Sequence, residues 1–210
     1  DGPGFLVNRL LLPYLNEAVY LLGEGVPADK IDQYYLDFGM PMGPLHLIDE
    51  IGIDVAVKVA KIFHKAFGER AEPSPLMAKV VESGRLGKKN GKGFYLYDEK
   101  GKKLGLDPKV YEELGINPTN TKVTKEECVN RGIFAMINEA ARALLEDKIV
   151  LTPDEVDLAM IMGTGFPPFR GGLLRHADSV GTDIICDELE VFTTKFGKRF
   201  RPAPPLEQMA

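Results

Sequence analysis

The 210-residue chain is short of several things, and each shortage removes a class of function. Its two cysteines, Cys128 and Cys186, sit far apart and without metal-ligand spacing. They read as reduced core thiols of a cytosolic-type protein, not as a disulfide framework or a zinc site. No apolar run approaches the ~18 residues of a membrane span, and no signal peptide leads the chain. Basic charge is not in excess. Lys and Arg total 26 against 31 Asp and Glu, a net charge of −5, which argues against nucleic acid or an anionic membrane as partner. The three histidines, His46, His64 and His176, lack a His or Cys partner at ligand spacing, so they predict surface or packing roles and no metal. No Ser or Cys nucleophile setting is visible. The glycine-rich stretch "GKKNGKG" (87–93) matches neither the P-loop nor the dinucleotide G-x-G-x-x-G pattern. It reads as a basic turn that sets Phe94 and Tyr95 against the core, with a phosphate cradle as the lesser alternative. The adjacent carboxylates Asp49 and Glu50 read as ordinary polar faces and caps, with acid–base work the minor alternative. The opening "DGPGFLVNR" has no initiator Met and reads as part of a longer chain.

What the sequence does have is a repeat. Residues 7–18 read "VNRLLLPYLNEA" and residues 129–140 read "VNRGIFAMINEA", an offset of 122. Asp29 and Asp32 align with Asp154 and Asp157, and Gly39-Met-Pro41 aligns with Gly165-Phe-Pro167. Asp49, Gly52 and Asp54 align with Asp178, Gly181 and Asp183 at an offset of 129. Offsets that grow in small steps mean short loop insertions between shared elements, so the chain is a duplication.

The shared elements are helices. From Val7 apolar residues recur at 7, 10, 11, 14, 15, 18, 19 and 22, the stripe of an amphipathic helix. Thr124 with Glu127, and Thr152 with Glu155, have the spacing of capping boxes, and Pro153 suits a first helical position. Asp54 and Asp183 are placed to cap the helices that follow them. Val55, Val59, Ile62, Phe63, Ala66 and Phe67 make one long apolar face, and Ser74-Pro75 opens a further helix that Gly84 ends. "FYLY" predicts a short strand or extended arm. Residues 98–123, rich in Lys, Gly, Pro and Asn, read as a connector, and the Pro-rich tail from Arg199 as a surface wrap. The fold class is all-α, two tandem helical repeats packed against each other, over residues 1–98 and 124–210 with a connector at 99–123.

Asn8 stands where the opening segment enters the first helix, close to Pro3 and Gly4. Pro13 cannot donate to the Arg9 carbonyl, which predicts a kink near the start of this helix. Ala135 at the matching place predicts a straight second copy. Asn8 is then either a helix-start cap or an amide aimed at a ligand, and pattern alone favours the cap.

"DGPGFLVNRLLLPYLNEA", "GMPMGPLHLIDEIGID", "GRLGKKNGKGFYLY" and "GTGFPPFRGG" together resemble the C-terminal region of 3-hydroxyacyl-CoA dehydrogenases. The resemblance is closest to the multifunctional β-oxidation α chains, which carry this helical domain twice. It implies a fold like the C-terminal domain of 6-phosphogluconate dehydrogenase, the copies packed as a pseudo-dimer. It also implies an upstream Rossmann domain, absent here, that binds NAD and carries the catalytic His and its orienting Glu, so that no catalytic residue is expected in this stretch. The His takes the 3-hydroxyl proton while hydride leaves for the nicotinamide. Asn8 would hydrogen-bond the acyl-CoA substrate near the reacting oxygen, and the second copy would serve chiefly as the interface. Relatives often carry an aromatic residue that reaches the acyl-CoA before the glycine of "GTGFPP". Met162 stands there, an apolar wall or core residue by pattern, which puts substrate contact from the second copy in doubt. An enoyl-CoA hydratase domain in the parent, a thiolase subunit as partner, and a bacterial cytoplasmic or mitochondrial matrix location complete what the resemblance and composition imply. Two other readings compete: a helical dimerisation or docking scaffold with no ligand role, and a related dehydrogenase of shorter hydroxyacids or hydroxyacyl-CoAs.

Overall fold

The computed structural model describes residues 4–120 and 122–208. Four helices open it: α1 (Val7–Gly23), α2 (Ala28–Phe38), α3 (Pro44–Ile51) and α4 (Ile53–Phe67). After α5 (Leu76–Glu82), strands β1 (Tyr95–Tyr97) and β2 (Lys103–Leu106) pair antiparallel, Tyr95 opposite Leu106, and α6 (Lys109–Leu114) follows. The opening quartet then returns as α7 (Lys125–Ala141), α8 (Pro153–Thr164), α9 (Leu173–Val180) and α10 (Thr182–Phe196), and α11 (Pro204–Glu207) ends the described chain. The helices α4 and α10 are both 15 residues long and stand in register at the offset of 129. No helix among the described residues is long and apolar enough to cross a membrane.

Local chemistry explains most boundaries. The Thr152 hydroxyl accepts from the Glu155 N–H while the Glu155 carboxylate accepts from the Thr152 N–H, a complete capping box. Thr124 caps α7 by accepting from Glu127 N at 3.0 Å. The expected caps Asp54 and Asp183 are not caps. Gly52 and Gly181, with φ of 96° and 104°, hold the N-cap positions of α4 and α10, a backbone conformation that disfavours a side chain. The aspartates are the second residues of these helices, where their charge still meets the positive end of the helix. The side-chain caps come instead from the second helix of each copy. Asp32 accepts from Leu45 N and His46 N at the start of α3 (2.8 and 3.0 Å), and Asp157 accepts from Leu174 N and Arg175 N at the start of α9 (2.6 and 3.2 Å).

The repeated polar frame knits the copies together. Arg9 Nε donates to Glu139 at 2.7 Å, and Arg131 Nε donates to Glu17 at 2.8 Å. Each arginine of the frame therefore meets the glutamate of the other copy, which sets α1 and α7 antiparallel at the centre of the molecule. Outer carboxylates complete both sites, Asp147 at 2.6 Å from Arg9 and Glu24 at 2.6 Å from Arg131. The frame's asparagine works within its own copy. Asn16 donates to the Glu72 carbonyl and accepts from Ser74 N; Asn138 donates to the Arg201 carbonyl and accepts from Ala203 N. In both, the amide fastens the chain that leaves the long helix. The two Gly-x-Pro turns also face each other. A Cβ on Gly39 would lie 2.9 Å from Pro167, and one on Gly165 would lie 2.6 Å from Pro41.

Two stretches are more ordered than their composition suggests. Residues 99–123 carry β2 and α6 and are not an irregular connector, because Arg85, fully buried, reaches Asp107 (2.8 Å) and Glu113 (2.6 Å) and ties them to the first copy. The Pro-rich tail is not a surface wrap alone: Phe200, Ala203 and Leu206 are buried in the core, while its last two residues lie outside the described residues, as does Pro3. α1 continues through Pro13, whereas α7, expected to run straight, passes into a π-helical turn over residues 142–146. Cys128 and Cys186 are free, buried thiols.

The tight fit of Gly132 against Tyr35 sets a test. A Cβ on Gly132 would lie 2.2 Å from the Tyr35 hydroxyl, which donates to the Cys128 carbonyl at 2.7 Å. Gly132→Ala should lower unfolding free energy by about 1–3 kcal/mol, the usual cost of overpacking, and Tyr35→Phe in the same chain should recover part of it. Urea denaturation measures both; an unchanged midpoint for Gly132→Ala would contradict this interface.

Candidate functional site

Asn8 lines an apolar groove of about 230 Å³. Leu11, Leu12 and Leu15 of α1 form one wall, and Ile51, Val55 and Val59 at the α3–α4 corner form the other. Asn8 is the one polar side chain of this lining. It is exposed, and its amide has no hydrogen-bond partner among the described residues. It does not cap the helix either: Leu6 occupies the N-cap position of α1 and Asn8 is the second helical residue.

The repeat supplies an internal control. Asn130 sits inside α7 and donates to the Glu188 carboxylate of α10 at 3.1 and 3.2 Å. Its neighbouring groove is wider, about 610 Å³, and mixes Val129, Phe134 and Ile184 with Arg170, His176 and Glu188. At the offset of 129 the α4 residue matching Glu188 is Val59, which can accept nothing. One amide of the pair is committed and the other is free.

The remaining candidates fall elsewhere. Met162 is 78% exposed on α8, so it is not a core residue, and it is not part of the Asn8 groove lining. Its neighbour Gly163 lets α8 close on the start of α1, since a Cβ there would lie 2.8 Å from Val7. The lysines of "GKKNGKG" are neutralised by carboxylates: Lys88 by Glu50 (2.9 Å), Lys89 by Asp54, and Lys92 by Glu113 (3.0 Å). The segment is an anchor that delivers Phe94 and Tyr95 to the core, both buried. His46 packs on Tyr95 and Tyr97, His176 on Phe38 and Phe166, and His64 bonds the Gly68 carbonyl. No group of three or more His, Cys, Asp or Glu among the described residues could hold a metal ion.

Asp49 is not the surface carboxylate its sequence suggests. Fully buried, it accepts from Phe94 N (3.0 Å), Tyr95 N (2.9 Å) and the Tyr97 hydroxyl (3.0 Å). Asp32 next to it accepts from the Tyr95 hydroxyl at 2.6 Å. Together they fasten the β1 arm over α2 and α3. Burial pushes both carboxyls up to about 6, the donors pulling back only in part. A folded pKa above the unfolded value of about 3.9 means that the folded state binds protons more readily. The stability contribution of these groups therefore rises as pH falls through 6 and levels off below about 4. Carboxyl ¹³C titration should give midpoints near 6 for both residues, and ordinary midpoints near 4 would refute the desolvated setting.

Two solved structures share this fold. The chain aligns over 99% of its length with 60% of a 3-hydroxybutyryl-CoA dehydrogenase from Escherichia coli K12, at 24% identity and a TM-score of 0.78. It aligns in full with 48% of the dehydrogenase part of multifunctional enzyme 1 from C. elegans, at 24% identity and a TM-score of 0.73. At that identity the likeness is one of fold. The sequence goes further. Residues 4–97 and again 128–210 match the family described as 3-hydroxyacyl-CoA dehydrogenase, C-terminal domain, and the chain belongs to that family. The whole chain is 44% identical to part of the fatty acid oxidation complex subunit alpha of Idiomarina loihiensis, and 43% identical to part of that of Shewanella halifaxensis. It spans 29% of the length of either relative.

Proposed function

We propose that this chain forms the substrate-cleft part of an NAD-dependent 3-hydroxyacyl-CoA dehydrogenase of fatty-acid β-oxidation, in the bacterial cytoplasm. Residues 1–98 and 124–210 are its two family domains, joined by 99–123. The observation that carries this reading is the uncommitted amide of Asn8 on an apolar groove, beside a repeat-mate whose amide is bound to Glu188. The groove suits the acyl portion of a 3-hydroxyacyl-CoA, and the amide suits the oxygen at the reacting carbon. Met162, exposed on α8 outside the Asn8 groove, is assigned no contact with the ligand.

The described residues do not fit a dinucleotide. Their one sheet is the antiparallel β1–β2 pair, whereas a dinucleotide site needs a strand, a glycine turn and a helix N-terminus in a βαβ unit. NAD and the proton-accepting His–Glu pair therefore belong to a domain upstream of this chain, and no hydride step is assigned to its residues. The same parent carries an enoyl-CoA hydratase domain and works with a thiolase subunit. Calorimetric titration of the isolated chain with NADH should show no saturable binding; a micromolar signal would place the cofactor site here and overturn this division of labour.

The two asparagines give the sharper test, in the full-length protein. If Asn8 donates to an oxygen whose charge grows in the transition state, Asn8→Ala should lower turnover by roughly 10²–10³-fold. Asn130→Ala should leave turnover nearly intact and lower stability by about 0.5–1.5 kcal/mol, the net worth of a hydrogen bond, because half-buried Glu188 can turn to water. Equal, purely thermal effects of the two substitutions would mean that Asn8 is structural.

A further inference from the structure

The two grooves are built on the same plan, and the residue that faces the asparagine differs between them. Asn8 and Asn130 are equivalent on α1 and α7 at the offset of 122, while Val59 and Glu188 are equivalent on α4 and α10 at the offset of 129. The α4–α10 register carries no slack, since both helices run 15 residues between glycines of positive φ. In the second copy the carboxylate at this position takes the asparagine amide at 3.1 Å. In the first copy valine stands there, half-buried and lining the same groove as Asn8.

We infer that Val59 is a positioning residue: by offering no acceptor it leaves the Asn8 amide free for ligand, and Glu188 in its place is what withdraws Asn130 from that role. The inference rests on the reading of Asn8 given above. Its physical basis is competition. A carboxylate held within reach of an amide is a charged acceptor, and a hydrogen bond to a charged group is about twice as strong as one between neutral groups. A neutral substrate oxygen would have to displace it. A glutamate opposite Asn8 would also put negative charge against any oxygen that becomes more negative during reaction, so it disfavours the transition state twice. Valine avoids both effects and adds to the apolar wall.

The test is a double-mutant cycle in the full-length protein with Val59→Glu and Asn8→Ala. Val59→Glu alone should lower turnover by about 10²-fold, the scale of losing one such donor. In the Asn8→Ala background it should cost little more, because its target is already gone. Val59→Met adds length without an oxygen acceptor and should lower turnover by an order of magnitude less. Independently of turnover, Val59→Glu should move the Asn8 side-chain amide resonance toward that of Asn130, and Glu188→Val should move the Asn130 resonance the opposite way. Losses that simply multiply in the double variant, or an Asn8 resonance that does not respond to Val59→Glu, would overturn the inference. Asn8→Ala with full turnover would instead overturn the reading of Asn8, and the resonance shifts would still report whether a carboxylate here captures the amide.

Discussion

The structure hangs on the exchange of two buried ion pairs, Arg9 with Glu139 and Arg131 with Glu17. Both arginines are at most 2% exposed, so neither can reach water if its partner is lost. Such pairs add little net stability over an apolar substitute, but removing one partner strands a charge and typically costs about 3–5 kcal/mol. Their value lies in register. Sliding α1 along α7 by one turn would part both pairs at once, and with them the outer carboxylates Asp147 and Glu24. Aromatic faces add to the constraint: the Arg131 guanidinium lies 3.9 Å from the Phe196 ring centre and the Arg9 guanidinium 4.7 Å from that of Phe67. Each of those rings belongs to the long helix of the arginine's own copy, so one residue ties the interface to the copy's own packing.

From this fixed centre the copies diverge outward. The first copy holds its third helix under an arm, with Asp49 buried beneath Phe94, Tyr95 and Tyr97. Asp178, the matching residue, is exposed. Gly93 explains how the arm comes so near: a Cβ there would lie 2.0 Å from Asp49, so only glycine lets the backbone N–H groups that follow reach the carboxylate. Two buried carboxyls with raised pKa are the cost of that closure, and the Tyr95 and Tyr97 hydroxyls offset part of it.

Much of this was legible in the sequence, for a physical reason. Helices that bury one face must repeat apolar residues at their own period, so α1, α4 and α7 announce themselves, and the capping box at Thr152 is a local contact that spacing alone reveals. What spacing misses is contact at a distance. Asp49 is bonded to N–H groups 45 and 46 residues away, and nothing beside it in sequence marks it as buried. β2 and α6 escaped because they bury only a few side chains, Val110 and Leu114 among them, within a lysine-rich stretch. Asn8 looked like a cap because its side chain is a good capper; α1 starts two residues too early for it to act. Its ligand-facing reading came from family resemblance and not from pattern. The Val59–Glu188 difference lay open in the offset of 129 but meant nothing until the structure put Glu188 against Asn130.

Duplication within one chain allows a kind of asymmetry that two identical subunits cannot have. In a symmetric dimer every residue appears twice in equivalent surroundings, so a glutamate that holds one asparagine would hold both. Here the ion pairs that join the copies obey the symmetry, Arg9 with Glu139 and Arg131 with Glu17, and within each copy Asn16 and Asn138 do the same work. The groove residues break it, with Leu12 against Phe134 and Val59 against Glu188. Symmetry persists in the ion pairs that join the copies, and it lapses in the grooves that face outward. The reciprocal arginines make that division possible, because they fix the relation of the copies without using any side chain of either groove.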